Sequence, residues 1–512
     1  MIVLGQIKRG AYFDSVTLMR VGKELSSMAG VVDAAVVMGT RSNKDILHSS
    51  GLLTNQFEKA TDTDLVVAVK AENEKAAAEA IAKVDGLLKG ATKKSAATGD
   101  TLPTSLDGAL KVVPGANVAI ISVAGRYAGD LAMQALEQGL HVMLFSDNVA
   151  LEKEIELKKF AAKKGLLVMG PDCGTAIING VPLAFANVVC RGSIGIVAAA
   201  GTGLQEVSTI ISNEGAGISQ AIGTGGRDVK KDVGGIMFIE ALKALAADKE
   251  TSVILLVSKP PHKDVLSRIT NVIKTIRKPV VQMFIGSNAK NGPATLEQAA
   301  HMAVALAKEA DPAVALKKLA TRDEAISKHA RTLAAKRGKK QKYVRGLFSG
   351  GTFCAEAQII FDGMLKDVYS NAPTGKSKEL TDSLKSQKNT VIDLGEDEFT
   401  VGRPHPMIDF SLRNKRILAE AADPETAVIL LDVVLGYGSN MDPASEISGT
   451  IREASRKVSV VCSITGTNGD PQNRSKVEAA LKKAGAIVMP SNAAACKLAM
   501  AVVKRYEQPL RA

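Results

Sequence analysis

Two stretches of the chain place glycine and threonine where an apolar run gives way to a helical pattern: AAAGTGLQEVSTII over residues 198–211 and LFSGGTFCAEAQII over residues 347–360. A helix that starts on such a turn offers free backbone N–H groups and the positive end of its dipole, and glycine lets an anion approach the backbone closely. Gly201, Thr202 and Gly203, together with Gly350, Gly351 and Thr352, are therefore candidate phosphate-binding residues. The competing reading is that tight strand-to-helix turns in any parallel sheet use glycine. In IGTGGRDVKKDVGG (222–235), Arg227 follows a glycine-rich strand end, where a guanidinium could clamp a carboxylate or phosphate through two parallel hydrogen bonds, or simply pair with Asp228. TVGRPHPMID (400–409) sets Arg403 and His405 between Pro404 and Pro406. The prolines restrict the backbone, so the two side chains can be preorganised, Arg403 to hold a carboxylate and His405 to polarise a carbonyl or move a proton. MGPDCGTAIING (169–180) and TGTNGDPQNRS (465–475) add Asp172, Thr175, Thr467, Asp470 and Arg474 at further strand ends, where Asp470 reads as a residue of a solvated turn.

These residues need elements to hold them. Residues 1–90 read as strand, helix, strand, strand, helix, an order that fits a ferredoxin-like α+β unit. A polar stretch then separates it from short buried strands alternating with helices, the pattern of parallel sheets. NVAIISVAG, HVMLFSD and LLVMGPD outline a Rossmann-like domain over 108–190. SIGIVAAAG, SQAIGTGG, SVILLVSK and PVVQMFIG outline a flavodoxin-like, doubly wound domain over 191–310, and each of these strands closes on Gly, Ser or Lys where such sheets place their ligand crevice. Residues 311–343 read as a basic helical linker, and 344–512 as a second flavodoxin-like domain.

Composition narrows the function classes. With 512 residues, 46% hydrophobic and 23% charged, the chain can bury several cores. The five cysteines never fall in a CxxC spacing, which suggests neither a disulfide framework nor a zinc cage. No metal is expected. The net charge of +12 invites nucleic acid, but many of the cations lie in one run, KHARTLAAKRGKKQKYVR, with no tryptophan and few aromatics to stack bases. No nucleic-acid partner is expected. The absence of an apolar leader and of long apolar runs predicts a cytoplasmic protein that neither enters nor spans a membrane. The sequence also has no P-loop, HExxH or EF-hand pattern.

From 108 to 310 and again from 344 to 505 the motifs resemble the succinyl-CoA synthetase superfamily: GPDCGTAIING is similar to its GPNCPG turn, AAAGTGLQEV to its SxSGTLxxE helix start, AIGTGGRDV to its GIGGDP loop, and LFSGGTFCAEAQ and IDLGED to its GAGLAM and LDVGG segments. In that family the two glycine-rich helix starts face a common phosphate. The whole chain resembles the FdrA group, through KRGAYFDSV, LVMGPDCGT, LAFANV, AIGTGGRD, VSKPP, IDLGEDEFTVGRPHPMID and LLDVVLGYG.

The synthetases carry a phosphorylated histidine in a GHAG motif, whereas this chain reads SNAKNGPATLEQAAHM there and His301 falls in a helical pattern. The ATP-grasp domain and the first part of the CoA-binding domain are also absent. The FdrA resemblance implies a subunit of an oxamate carbamoyltransferase of anaerobic allantoin degradation, which interconverts oxalurate plus phosphate with oxamate plus carbamoyl phosphate. It would need other subunits of a hetero-oligomer, small anionic substrates and no cofactor. Two alternatives stand beside it: an acyl-CoA synthetase subunit that binds CoA, and a non-catalytic assembly subunit.

Overall fold

The computed structural model describes residues 1–11, 13, 15–93, 103, 105–287, 292–336, 338, 340–400 and 403–507. They form two compact units, one of Met1–Ala116 with Asp397–His405, the other of Asn117–Glu396 with Pro406–Ala512.

In the first unit the strand Leu65–Ala71 runs antiparallel between Ile2–Lys8 and Val31–Met38. Its residues are apolar almost throughout because both faces are covered. Val67 and Val69 meet Leu18, Leu25, Ala77 and Val84 from the helices Ser15–Ser26 and Glu74–Lys93, while Val66 and Ala68 meet Leu47, Leu52 and Phe57. Leu47 belongs to the helix Arg41–Ser49, so the order is strand, helix, strand, helix, strand, helix, one helix more than the sequence pattern predicts. RSNKDILHS carries only two large apolar residues, and a single buried leucine is too little periodicity to announce a helix.

The second unit is α/β, with three sheets. Val118–Ile121, His141–Leu144 and Val168–Met169 make a small parallel sheet. The middle sheet runs Val280–Phe284, Val253–Ser258, Arg191–Ala199, Ile218–Gly223, all parallel, and ends on the hairpin Thr175–Ile178 and Val181–Ala184. The third sheet is parallel throughout, in the order Lys378–Glu379, Val368–Ser370, Asn389–Asp393, Tyr343–Phe348, Thr426–Val434, Ser459–Thr465, Ile487–Met489. Val253–Ser258 and Thr426–Val434 are buried at every position, as continuous apolar strands covered on both faces should be.

One core joins the middle and third sheets, with Leu204, Val207, Val257 and Leu296 packed in the same cluster as Phe348, Phe353, Val434 and Ala494. The segment expected as a basic linker contributes to it. Pro312–Ala335 is a single helix, capped by Asp311, that buries Leu319, Ile326, Ala330 and Ala334 and turns Arg322 inward onto the buried Glu297, while its lysines face outward. A basic amphipathic stretch reads as solvated until something covers its apolar stripe, and here the covering element is the helix Asn492–Glu507, far away in sequence. Among the described residues no helix is long and apolar enough to cross a membrane.

Candidate functional site

Arg191–Ala199 leads through Ala200 into the helix Gly201–Asn213, and Tyr343–Phe348 leads through Ser349 and Gly350 into the helix Gly351–Phe361. No side chain caps either helix. Among the described residues the amides of Gly201, Thr202, Gly203, Gly351 and Thr352 make no hydrogen bond, so both first turns present free donors.

The two starts lie against each other in a reciprocal way. A Cβ on Gly203 would stand 2.9 Å from Thr352 Cγ2 and 3.1 Å from Val257 Cγ1, and a Cβ on Gly350 would stand 2.9 Å from both Cγ2 and Oγ1 of Thr202. Each glycine thus makes room for the other loop's threonine, and both threonines are buried. Thr175 flanks the first loop, its hydroxyl 3.6 Å from where a Cβ on Gly201 would be, and donates to the Phe185 carbonyl at 2.7 Å.

Asp432, fully buried at the C-terminal half of its strand, braces the second loop. It accepts from the Ser349 amide at 2.8 Å, the Ser349 hydroxyl at 2.7 Å and the Gly350 amide at 3.0 Å. Arg413, also fully buried, pairs with Asp432 at 3.0 Å and donates to its carbonyl.

Deeper along the two helices is a second matched pair. Glu206 and Glu356 each follow their helix's first glycine by five residues, in GTGLQE and GTFCAE. Asn492 links them: its amide donates to Glu206 Oε1 at 2.9 Å and its side-chain amide to Glu356 Oε2 at 2.7 Å. Thr465 Oγ1 donates to Glu206 Oε2 at 2.5 Å and the Leu296 amide to Glu356 Oε1 at 2.7 Å. Burial pushes both carboxyls up to about 7. The repeated G-T-x-x-x-E spacing is the sequence signal for this pair.

Arg227 is brought to neither glycine loop by any of its contacts. Its Nε lies 2.8 Å from Glu154 Oε2, off-line for a hydrogen bond, and its Nη2 donates to the Val149 carbonyl at 2.8 Å. Glu154 also pairs with the fully buried Lys158, which in turn binds Asp228 at 2.8 Å. A carboxylate clamp at Arg227 is therefore already engaged within the protein, and the expected Arg227–Asp228 pairing is replaced by Lys158–Asp228. Arg403 is exposed, its amide donating to the Thr400 carbonyl at 3.0 Å. It and His405 belong to the other compact unit, and residues 401 and 402 between the helix Asp397–Thr400 and Arg403 lie outside the described residues.

Asp470 does not sit in a solvated turn. It is buried and accepts from the Val188 amide at 2.7 Å, Asn187 Nδ2 at 2.9 Å and the Thr467 amide at 2.7 Å, while Gln205 of the first glycine helix donates to Asn187 at 3.1 Å. Burial raises the Asp470 carboxyl above its ordinary range. A G-D-P triplet looks like a surface turn, and only the distant segment 187–188 turns it into a clasp. His301 lies in the helix Leu296–Ala307, its Nδ1 4.0 Å from Glu214.

Over 499 residues the chain is 40% identical to the protein YahF of Escherichia coli strain K12, covering 95% of this chain and 96% of that one. The chain belongs to the YahF family. This is a succinyl-CoA synthetase-like family, and residues 347–502 of the present member match the CoA-ligase family model. The alpha 1 subunit of the ADP-forming succinate–CoA ligase of Archaeoglobus fulgidus is 28% identical over 181 residues, which are 35% of this chain and 60% of that subunit, so the chain spans about three fifths of that relative's length. A solved structure of ATP citrate lyase from Methanothrix soehngenii is similar over 37% of this chain and 34% of that one, at 20% identity and a TM-score of 0.32.

These findings overturn the expectation of a carbamoyltransferase, because the family model and the relatives with a named activity are CoA ligases. Residues 1–103 match the model described as AllF, heavy metal-associated domain. That unit contains no cysteine and so lacks the thiolates that would hold a soft metal, and among the described residues no group of three His, Cys, Asp or Glu could hold a metal ion.

Proposed function

We propose that the chain is a subunit of an acyl-CoA synthetase of the succinyl-CoA ligase type, with its anionic reactant held at the paired helix starts and the ATP-dependent step carried by another chain. The observation that supports this reading is the reciprocal packing of Gly203 with Thr352 and Gly350 with Thr202, which sets two uncapped helix N-termini side by side at the C-terminal ends of two parallel sheets. Each N-terminus carries roughly half a positive charge, and two at one place favour a phosphoryl group or an acyl phosphate between them. Their amides would hold the oxygens on which charge collects when a thiol attacks an acyl phosphate and phosphate leaves.

The partners are other subunits of a hetero-oligomer, and the substrates are small anions. The test is to supply the purified protein, alone and with co-expressed neighbouring subunits, with CoA and a series of acyl phosphates. Thioester formation supports the reading. No CoA binding and no thioester in any combination overturns it.

A further inference from the structure

Lys259 immediately follows the strand Val253–Ser258, whose last residue pairs with Ala199, beside the first glycine helix. Its Nζ crosses to the other sheet and lies 3.7 Å from the place a Cβ on Gly351 would take. Among the described residues it makes no hydrogen bond and no ion pair within 4 Å. On the opposite side, Asp393 ends the strand Asn389–Asp393 next to Phe348, and its Oδ2 would collide with a Cβ on Gly351. Asp393 is 3% exposed, its Oδ1 accepts from the Gly395 amide at 2.9 Å, and its Oδ2 has no hydrogen-bond partner among the described residues. An ammonium that makes no hydrogen bond and a carboxyl oxygen that accepts none, each within the other's electrostatic field, thus converge on one uncapped helix start.

We propose that Lys259 is a ligand of a tetrahedral phosphoryl dianion at this site, and that Asp393 is the counter-charge the anion replaces, becoming a hydrogen-bond donor to it. The inference rests on the anion-site reading above and names the class of group bound there.

Two helix starts and one ammonium sum to roughly two positive charges, which matches a dianion once Asp393 is neutral. An ionised Asp393 would repel that dianion across a water-poor site. Burial already pushes its carboxyl up to about 7, with Lys259 opposing the shift and Glu396 and Asp432 adding to it, while the Cys354 thiol on the second helix faces the same pair. A bound dianion favours the protonated form further, so binding takes up a proton and tightens as pH falls. No histidine is required in this arrangement, since the fixed cation stands where the anion is held.

The experiment is calorimetry on the full-length protein with inorganic phosphate, acetyl phosphate, and sulfate, the last because its charge does not change between about pH 6 and 8. Lys259→Met is expected to weaken phosphate or acetyl phosphate binding by about tenfold or more, the loss typical of a charge-assisted hydrogen bond, with thermal stability retained and Lys259→Arg recovering most of it. Wild-type sulfate binding should tighten from pH 8 to pH 6, and Asp393→Asn should bind more tightly at pH 8 and lose that dependence. Which of phosphate and acetyl phosphate binds identifies the source of the phosphoryl group. If Lys259→Met stays within about twofold of wild type while Gly351→Val abolishes binding, the inference falls and the anion site stands. If the wild-type protein binds none of the three, both fall.

Discussion

The methyl of Thr352 occupies the space that a side chain on Gly203 would need, 2.9 Å from the ideal Cβ position. Gly203 therefore serves the contact between two helix starts as well as any approach of an anion, and the two roles separate by substitution. Gly203→Ala should destabilise the protein by about 1 to 3 kcal/mol, the usual result of overpacking. Adding Thr352→Ser removes the opposing methyl and should restore much of that loss. Urea unfolding of the two single variants and the double variant measures the coupling, and additive effects would show that the contact is not what excludes a side chain at position 203.

Glu206, Glu356 and Asp393 give the pH dependence of stability its sign. All three carboxyls are pushed up to about 7, from ordinary values of 4.5 for the glutamates and 3.8 for the aspartate. A raised carboxyl favours the protonated form in the folded state. Its contribution is complete below the unfolded value and is lost as pH rises through the folded one. The melting temperature should accordingly decline from about pH 5 to pH 8 through these groups. Glu206→Gln, which keeps an acceptor for the Asn492 amide, should flatten that decline. A steeper decline in the variant would contradict the assignment.

Asp432 should be among the least replaceable polar residues of the third sheet. Asp432→Ala removes the acceptor of two amides and a hydroxyl and leaves Arg413 as an uncompensated charge in a fully buried position. Breaking one side of a buried pair costs about 3 to 5 kcal/mol. Chemical denaturation should show a loss of that size, whereas Arg227→Lys, on a side chain that is 43% exposed, should change stability by less than about 1 kcal/mol.

No stable phosphohistidine is expected. His301 stands in the middle of the helix Leu296–Ala307 rather than on a glycine loop, with Glu214 beside it. Incubation with labelled ATP, or with a labelled acyl phosphate, should leave the protein unlabelled. Label that is lost in acid, survives base and maps to a histidine would overturn this.

In the second unit the sequence by itself determined the strands and the turns that follow them. Runs such as VILLVS and TAVILLDVV are dominated by apolar residues and buried at every position because both faces are covered, and glycine-threonine after such a run marks a helix start whatever lies around it. The local chemistry of both glycine loops was legible for that reason. What lies beside them was not, because residues near 200 and residues near 350 meet only when two sheets share a core, and no local pattern encodes that meeting. The sequence places Lys259 at a strand end that closes on a ligand crevice, but only the fold carries it and Asp393 to Gly351. Asp470 read as a solvated turn, and 311–343 as a solvated linker, because polar sequence looks exposed until a distant segment covers it. The same long-range packing decided that Asn492 joins Glu206 to Glu356 and that Arg227 is taken by Glu154. Backbone preference and burial pattern act over a few residues and can be read along the chain. The partners of a buried charge are chosen by tertiary contacts, since a carboxyl removed from water must find a donor, a cation or a proton wherever the fold supplies one.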